Sequence, residues 1–336
     1  MHNTIYVAGY PNRIGGAPSE LWHTIKLWRR KQVPVTVFPT WKPDLEWKCR
    51  LEMIGCKTTM ISPGDLRGEI VVALCNPEVT AHPEVFEGAK IVWGPCCSYL
   101  SGYEADYYRK HPLMTKYLFQ SHFQLNGLWP EYKKRGVRRS QCHLIRGAFD
   151  CSEFPYLPNP HRQGGKFVLG RLSRSHPWKF ATDTWEIYTA IRETIDAPVT
   201  ARVMGFQPFS IRGPVPSWVE ILPEGAESPQ TFLQSLHAMV QLTHKPENWP
   251  RTGLEAMSVG VPIVVDDAGG WQEMIVHGKT GFLCQDKTAV VDACKTLAEN
   301  EYQRMELTGR ARERLEEDLA NPDMIWANWK RLFDSL

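Results

Sequence analysis

Two glutamates flank a helix start in the run Lys245-Pro246-Glu247-Asn248-Trp249-Pro250-Arg251-Thr252-Gly253-Leu254-Glu255-Ala256-Met257. A carboxylate accepts two hydrogen bonds in a fixed fork, which suits paired sugar hydroxyls. Pro250 fits the first helical position, because its φ is already helical and its missing N–H is not needed there. The N–H groups just beyond it have no partner inside the helix and lie at the positive end of the helix dipole. Asn248, Trp249, Arg251 and Thr252 would therefore frame a place for phosphate or sugar oxygens. Glu255 falls about one turn further in, so the two carboxylates can line one pocket from different depths.

Taken with the following Ala256-Met257, Gly260-Val261-Pro262 and Ile263-Val264-Val265, this run resembles the signature of retaining glycosyltransferase family 4. The resemblance implies the GT-B fold, with two doubly wound Rossmann-like domains facing each other across a cleft. It also implies that Glu247 holds hydroxyls of the donor sugar and that Glu255 holds the ribose of the nucleotide. Gly170-Arg171-Leu172-Ser173-Arg174 resembles the family's loop that offers an arginine and a lysine to the donor diphosphate. Arg171 fits directly. Lys179 is the expected lysine, with Arg174 its competitor, because Ser175-His176-Pro177-Trp178 intervene. Such cations would neutralise charge on the leaving group. The Asp267-Ala268-Gly269-Gly270 loop resembles one that faces donor sugar or phosphate, its glycines letting backbone approach a ligand closely. Gly15-Gly16 resembles the family's N-terminal glycine loop, near donor phosphate and acceptor. One feature departs from the pattern. The family commonly has a histidine after the strand near Ile91–Trp93, where this chain reads Gly94-Pro95-Cys96-Cys97. His111 and His122 lie further on and are not assigned to the site.

The elements that must position these residues alternate between strand and helix. The periodicity predicts strands at Ile5–Tyr10, Val33–Phe38, Ile70–Leu74, Ile91–Trp93 and Cys142–Ile145, with helices at Ser19–Lys31 and Tyr117–Trp129. A turn is expected at Pro11–Gly16. The Pro- and Gly-rich segment Phe154–Gly165 reads as a linker. Beyond it the alternation restarts. Strands are expected at Phe167–Leu169, Val199–Met204, Met239–Leu242 and Ile263–Val265, and helices at Thr182–Ile195, Gln230–His237, Arg251–Val259 and Gln272–His277. His277–Leu283 reads as a hairpin turn and the tail from Thr288 as helical, broken near Asn321–Pro322. This is an α/β chain of two doubly wound domains, 1–157 on the acceptor side and 158–321 on the donor side. By analogy with GT-B proteins, residues 322–336 would cross back onto the first domain. Nucleobase choice is expected to rest on backbone contacts in Val203–Pro216, where no pattern is legible.

Composition agrees with an ordinary globular protein. The 336 residues are 43% hydrophobic and 23% charged, with net charge +2. The charge is uneven: residues 1–150 hold 20 Lys/Arg against 13 Asp/Glu, the remainder 19 against 24. Basic clusters at Arg29-Arg30-Lys31 and Lys133-Lys134-Arg135 are either solvated helix ends or a face toward an anionic or membrane-associated acceptor. No apolar run reaches the roughly 18 residues of a membrane span, and residues 1–10 lack a secretory pattern. A cytoplasmic protein is expected, with a peripheral position at the inner membrane surface as the extension of its basic half. The nine cysteines show no metal spacing and are expected to be reduced, buried thiols.

The combined expectation is a retaining, hexosyltransferase-type enzyme moving a sugar from a nucleoside-diphosphate sugar to an acceptor hydroxyl. Attack is on the same face, with Glu247, Arg171 and Lys179 as the catalytic set. No Asp-x-Asp pair occurs, so neither a metal nor a cofactor is expected besides the nucleotide-sugar co-substrate. The alternatives are a GT-B-fold epimerase or phosphorylase, and a catalytically silent nucleotide-sugar binder. A nucleic-acid-directed enzyme is disfavoured, since the whole chain is near neutral and lacks a strong basic stripe.

Overall fold

The structure, a computed structural model, describes residues 4–12, 14–40, 44–95, 97–206 and 211–336. Cys96, one residue of the Pro11–Gly16 turn and part of the Val203–Pro216 segment lie outside the described residues. The chain divides into two units, residues 1–149 with 322–336, and residues 150–321. The division falls ahead of the boundary drawn from the linker composition.

Unit 1 is a parallel sheet of β1 (Ile5–Ala8), β2 (Val35–Phe38), β3 (Lys57–Thr58), β4 (Ile70–Leu74), β5 (Lys90–Gly94), β6 (Lys116–Phe119) and β7 (Cys142–Leu144), in spatial order β3-β2-β1-β4-β5-β6-β7. The near-continuous burial of Ile70-Val71-Val72-Ala73 is what a strand covered on both faces requires. The helix Gly16–Arg30 starts earlier than its apolar pattern suggested, directly after Gly15. Residues 116–134 are the clearest difference from expectation. Tyr117-Leu118-Phe119 form β6, and the helix begins only at His122, where Ser121 Oγ accepts from Gln124 N at 3.1 Å. A short apolar run does not distinguish strand from helix by periodicity, and here the serine cap decides. The helix Pro322–Asp334 joins this unit's core through Ile325, Trp329, Leu332 and Phe333. Its Trp329 meets Trp28 edge to face at 4.8 Å, a contact worth about 0.5–1.5 kcal/mol beyond its area.

Unit 2 repeats the design with β8 (Phe167–Leu172), β9 (Val199–Met204), β10 (Val219–Leu222), β11 (Ala238–Gln241), β12 (Ile263–Asp266) and β13 (Phe282–Cys284), in the parallel order β10-β9-β8-β11-β12-β13. Strand β10 was not anticipated. Its Glu220 is exposed and Pro214 and Pro216 precede it, so the run lacks the signature of a buried strand. The segment His277–Gly281 is a turn that feeds β13, a strand pairing parallel to β12, so it closes no antiparallel hairpin. Phe167, Leu169, Val203, Val240 and Val264 pack on Ile187, Ile191 and Leu297 of flanking helices. Among the described cysteines none is bridged, and burial pushes the Cys56 thiol up to about 11 and that of Cys284 to about 12.

Candidate functional site

In unit 2 the sheet order reverses between β8 and β11, which are neighbours at its centre. Chains leaving the C-terminal ends of two such strands diverge and open a crevice between them. The loop after β8 carries Lys179, at the end of the short turn Pro177–Lys179, and the loop after β11 carries Glu247. The two side chains meet there: Lys179 Nζ lies 2.7 Å from one oxygen of Glu247 and 2.5 Å from the other. The pair is largely shielded, the side chains being 27% and 12% exposed.

Arg171 stands differently from expectation. It is fully buried, lies 4.0 Å over the Phe180 ring, and donates to the carbonyl oxygens of Leu242, at 2.9 Å, and of Lys179. Burial lowers its pKa to about 10, which still leaves it charged at neutral pH. Arg171 therefore ties the loop after β8 to the end of β11 through two of its nitrogens, while its Nε has no hydrogen-bond partner among the described residues. The backbone of Lys179 is held from the other side by its N–H, which donates to His176 O at 3.0 Å. Neighbouring Trp178 accepts from His244 N and Lys245 N through its carbonyl, while its 41%-exposed ring lies 3.5 Å beneath Lys245 Nζ. Arg174, the competitor, is exposed.

Gly269 and Gly270 brace Glu247. Gly270 N donates to Glu247 O at 2.7 Å. A Cβ on Gly270 would lie 2.0 Å from Asn248 O, and one on Gly269 would lie 2.4 Å from Glu247 O at a φ of +63°. The glycine pair thus nests one loop against the backbone of another, so that its close approach is to protein. Asp266, at the end of β12, accepts from Thr243 N and Oγ1, both at 3.2 Å, and its pKa is raised by burial and further by the charge of Glu247. This third acid, beside Glu247 and Glu255, carries no signal in the sequence beyond closing a strand.

The helix Arg251–Val259 begins at the same sheet edge, after Pro250, which sits one position earlier than expected, as the N-cap. Among the described residues no side chain caps that end. Trp249 and Arg251 are buried, while Asn248 and Thr252 are half-buried. Thr252 Oγ1 accepts from Gln241 Nε2 at 3.3 Å, tying the first turn to β11. Glu255 is 6% exposed, and burial raises its carboxyl to about 7 against the opposing pull of Arg251.

Gly15 and Gly16 belong to unit 1, where Gly15 takes a φ of +108° at the start of the Gly16–Arg30 helix. A cavity of about 10 Å³, the size of a single water, lies at the ends of β4, β5 and β6, lined by Glu20, Cys75, Pro95 and Gln120 among others. Pro95 O, just after β5, accepts from Gln124 Nε2 at 2.7 Å. His111 stacks on Tyr107 and His122 is exposed. Among the described residues no group of three or more His, Cys, Asp or Glu is arranged to hold a metal ion, and no helix is long and apolar enough to cross a membrane.

Residues 219–314 match the family described as glycosyl transferases group 1. The chain is 33% identical over 95 residues to N-acetyl-alpha-D-glucosaminyl L-malate synthase of Bacillus anthracis, covering 28% of this chain and 25% of that one. It is 25% identical over 191 residues to trehalose synthase of Pyrococcus horikoshii, covering 51% and 44%. The chain therefore spans less than half the length of these curated relatives. Solved structures match along its whole length. Anabaena Alr3699/HepE in complex with UDP-glucose superposes with a TM-score of 0.74 at 17% identity, covering 100% of both chains. A variant of Staphylococcus aureus TarM, in complex with fondaparinux, alpha-GlcNAc-glycerol and UDP, gives 0.76 at 13% identity, covering 99% of this chain and 100% of that one. At such identities the likeness is one of fold. The chain has the two Rossmann-like, parallel-sheet domains of GT-B glycosyltransferase structures, and within the second lies the sequence pattern of glycosyl transferases group 1.

Proposed function

We propose that this chain is a glycosyltransferase that takes a hexosyl group from a nucleoside-diphosphate sugar and passes it, with retention, to an acceptor hydroxyl. The observation that carries the reading is the meeting of Lys179 and Glu247, 68 residues apart, at the β8/β11 switch point of unit 2. It joins a cation suited to a diphosphate and a carboxylate suited to a sugar in the unit that matches the group 1 pattern. Glu247 positions the sugar, Lys179 stabilises the departing diphosphate, and Glu255 anchors the ribose. Asn248, Trp249, Pro250, Arg251 and Thr252 shape the helix start beside them, with Arg174 as a further cation of the loop after β8. Arg171, Gly269 and Gly270 act by holding that geometry. Same-face attack has the leaving phosphate oxygen take the acceptor proton, which needs no protein nucleophile. The charge of the leaving group rests on protein cations in this scheme, with no divalent metal. Retained turnover in excess EDTA is the expected check, and loss restored by Mg²⁺ or Mn²⁺ would refute that part.

The structural neighbours bound UDP and UDP-glucose, so UDP-sugars are the first donors to test. Glu247→Ala is expected to lower transfer by at least about a hundredfold while the fold is kept, read by donor consumption and by the anomeric configuration of the product by NMR. Unchanged turnover in that variant would remove the central residue of the proposal. An inverted product would overturn retention alone. One observation favours a second reading, a nucleotide-sugar binder without turnover: the sequence after β5 reads Gly94-Pro95-Cys96-Cys97 and bears no histidine. Donor binding with no product from any acceptor would select it. The acceptor side carries the cytoplasmic, peripheral-membrane proposal, on the surplus of basic residues in 1–150.

A further inference from the structure

Glu247 has a bidentate partner within the protein. The Lys179 ammonium spans both of its oxygens, the same two that would accept sugar hydroxyls. Neither backbone can yield easily. Arg171 and His176 hold the carbonyl and N–H of Lys179, and Gly270 N holds the carbonyl of Glu247. What can move is the lysine side chain, with its four rotatable bonds. A neutral sugar brings hydroxyl donors that carry no charge, whereas the ammonium adds the attraction of an opposite charge to its hydrogen bonds with the carboxylate. A sugar alone is therefore a poor competitor for Glu247. A diphosphate competes for the other partner. Its clustered negative charge offers Nζ more than one carboxylate can, in a site where shielding from water strengthens each charge contact.

We propose that Lys179 and Glu247 form a gate that makes sugar recognition conditional on the diphosphate: the anionic leaving group draws Lys179 away, and only then can the two oxygens of Glu247 receive the sugar. This rests on the donor-site reading above and deepens it. The gate selects the intact nucleoside-diphosphate sugar over its fragments. Free sugar does not occupy the site, and a nucleoside diphosphate binds with an affinity reduced by the ion pair it must first break.

The test is isothermal titration of wild type, Glu247→Gln and Lys179→Met with UDP, GDP, ADP and dTDP, continued with the nucleotide that binds wild type and with glucose alone. Glu247→Gln keeps the volume and removes the charge that restrains Lys179, so it is expected to bind the nucleoside diphosphate about tenfold more tightly than wild type. Lys179→Met is expected to bind it about tenfold more weakly, and glucose alone should give no heat with wild type. Circular dichroism and the melting temperature establish that each variant is folded. Equal or weaker nucleotide binding in folded Glu247→Gln, unchanged binding in Lys179→Met, or binding of glucose alone to wild type would overturn the gate while leaving the donor site standing. If none of the four nucleotides binds any of the proteins, the donor-site reading fails and the gate fails with it.

Discussion

Glu255 is the candidate donor ligand whose state depends most on acidity. Burial holds its carboxyl near pH 7, about where half of it is protonated under ordinary conditions. Only the ionised form accepts hydrogen bonds from both ribose hydroxyls, so donor binding must expel the proton. Affinity is then expected to rise with pH, with the donor Kd falling about tenfold between pH 6 and pH 8 and levelling above. Titrations at a series of pH values check this, and Glu255→Gln should bind weakly with no such slope; an identical slope in the variant would assign the proton elsewhere. The folded pKa lies above the ordinary carboxylate value of 4.5, so this group's contribution to stability is fully present below 4.5 and is lost as pH rises through 7. The two glutamates and the helix start between them were legible in the sequence. Their environments were not, because burial depends on what packs over them. Arg171 shows the same gap. Arginine is seldom fully buried, so a strand-end arginine reads as a ligand until the carbonyls of Leu242 and Lys179 are seen to hold it.

At the scale of elements, the strands covered on both faces could be read directly, since Ile70–Leu74 and Val199–Met204 are runs with little else to be. The helix Arg251–Val259 was equally legible from its proline entry and its Gly260 exit, the latter in the left-handed conformation that ends helices. Strand order was not. Lys179 and Glu247 are 68 positions apart with three strands, β9, β10 and β11, between them, and nothing local says that β8 and β11 lie side by side. The Asp267–Trp271 loop belongs to this scale too. Its glycines were legible as a close approach, yet the partner is the Glu247 loop. Gly270→Ala must separate two backbones that a Cβ would bring to 2.0 Å, moving Glu247 away from its working position. We expect kcat/KM to fall at least about tenfold and the melting temperature to fall by about 5 °C, read by steady-state kinetics and calorimetry. A variant with wild-type kinetics would show that this brace does not set the position of Glu247.

For the molecule as a whole, acid sensitivity is built into both units. In unit 1 burial lowers the pKa of His143 to about 4, and in unit 2 it does the same to His237, whose Nδ1 accepts from Val168 N at 2.9 Å. Both are held neutral. Between pH 6.5 and pH 4 the unfolded chain takes up protons that the folded one refuses, so these groups stabilise the fold above 6.5 and that stabilisation is lost as pH falls to 4. His237→Asn should melt below wild type at pH 7, and the gap should narrow as pH approaches 4, because only wild type loses this contribution. Calorimetry across that range decides it, and a constant gap would mean that His237 titrates normally.

The membership of the two cores has a further consequence for how the protein is made. Unit 2 is one uninterrupted stretch, whereas unit 1 takes Ile325, Trp329, Leu332 and Phe333 from beyond it. On a ribosome, domains tend to fold as they emerge. Here the first sheet to appear in the nascent chain must wait with Trp28 uncovered until Trp329 is synthesised, while the stretch encoded in between can already be complete. The unit begun first is therefore finished last, and in that interval its uncovered indole is a natural target for a chaperone.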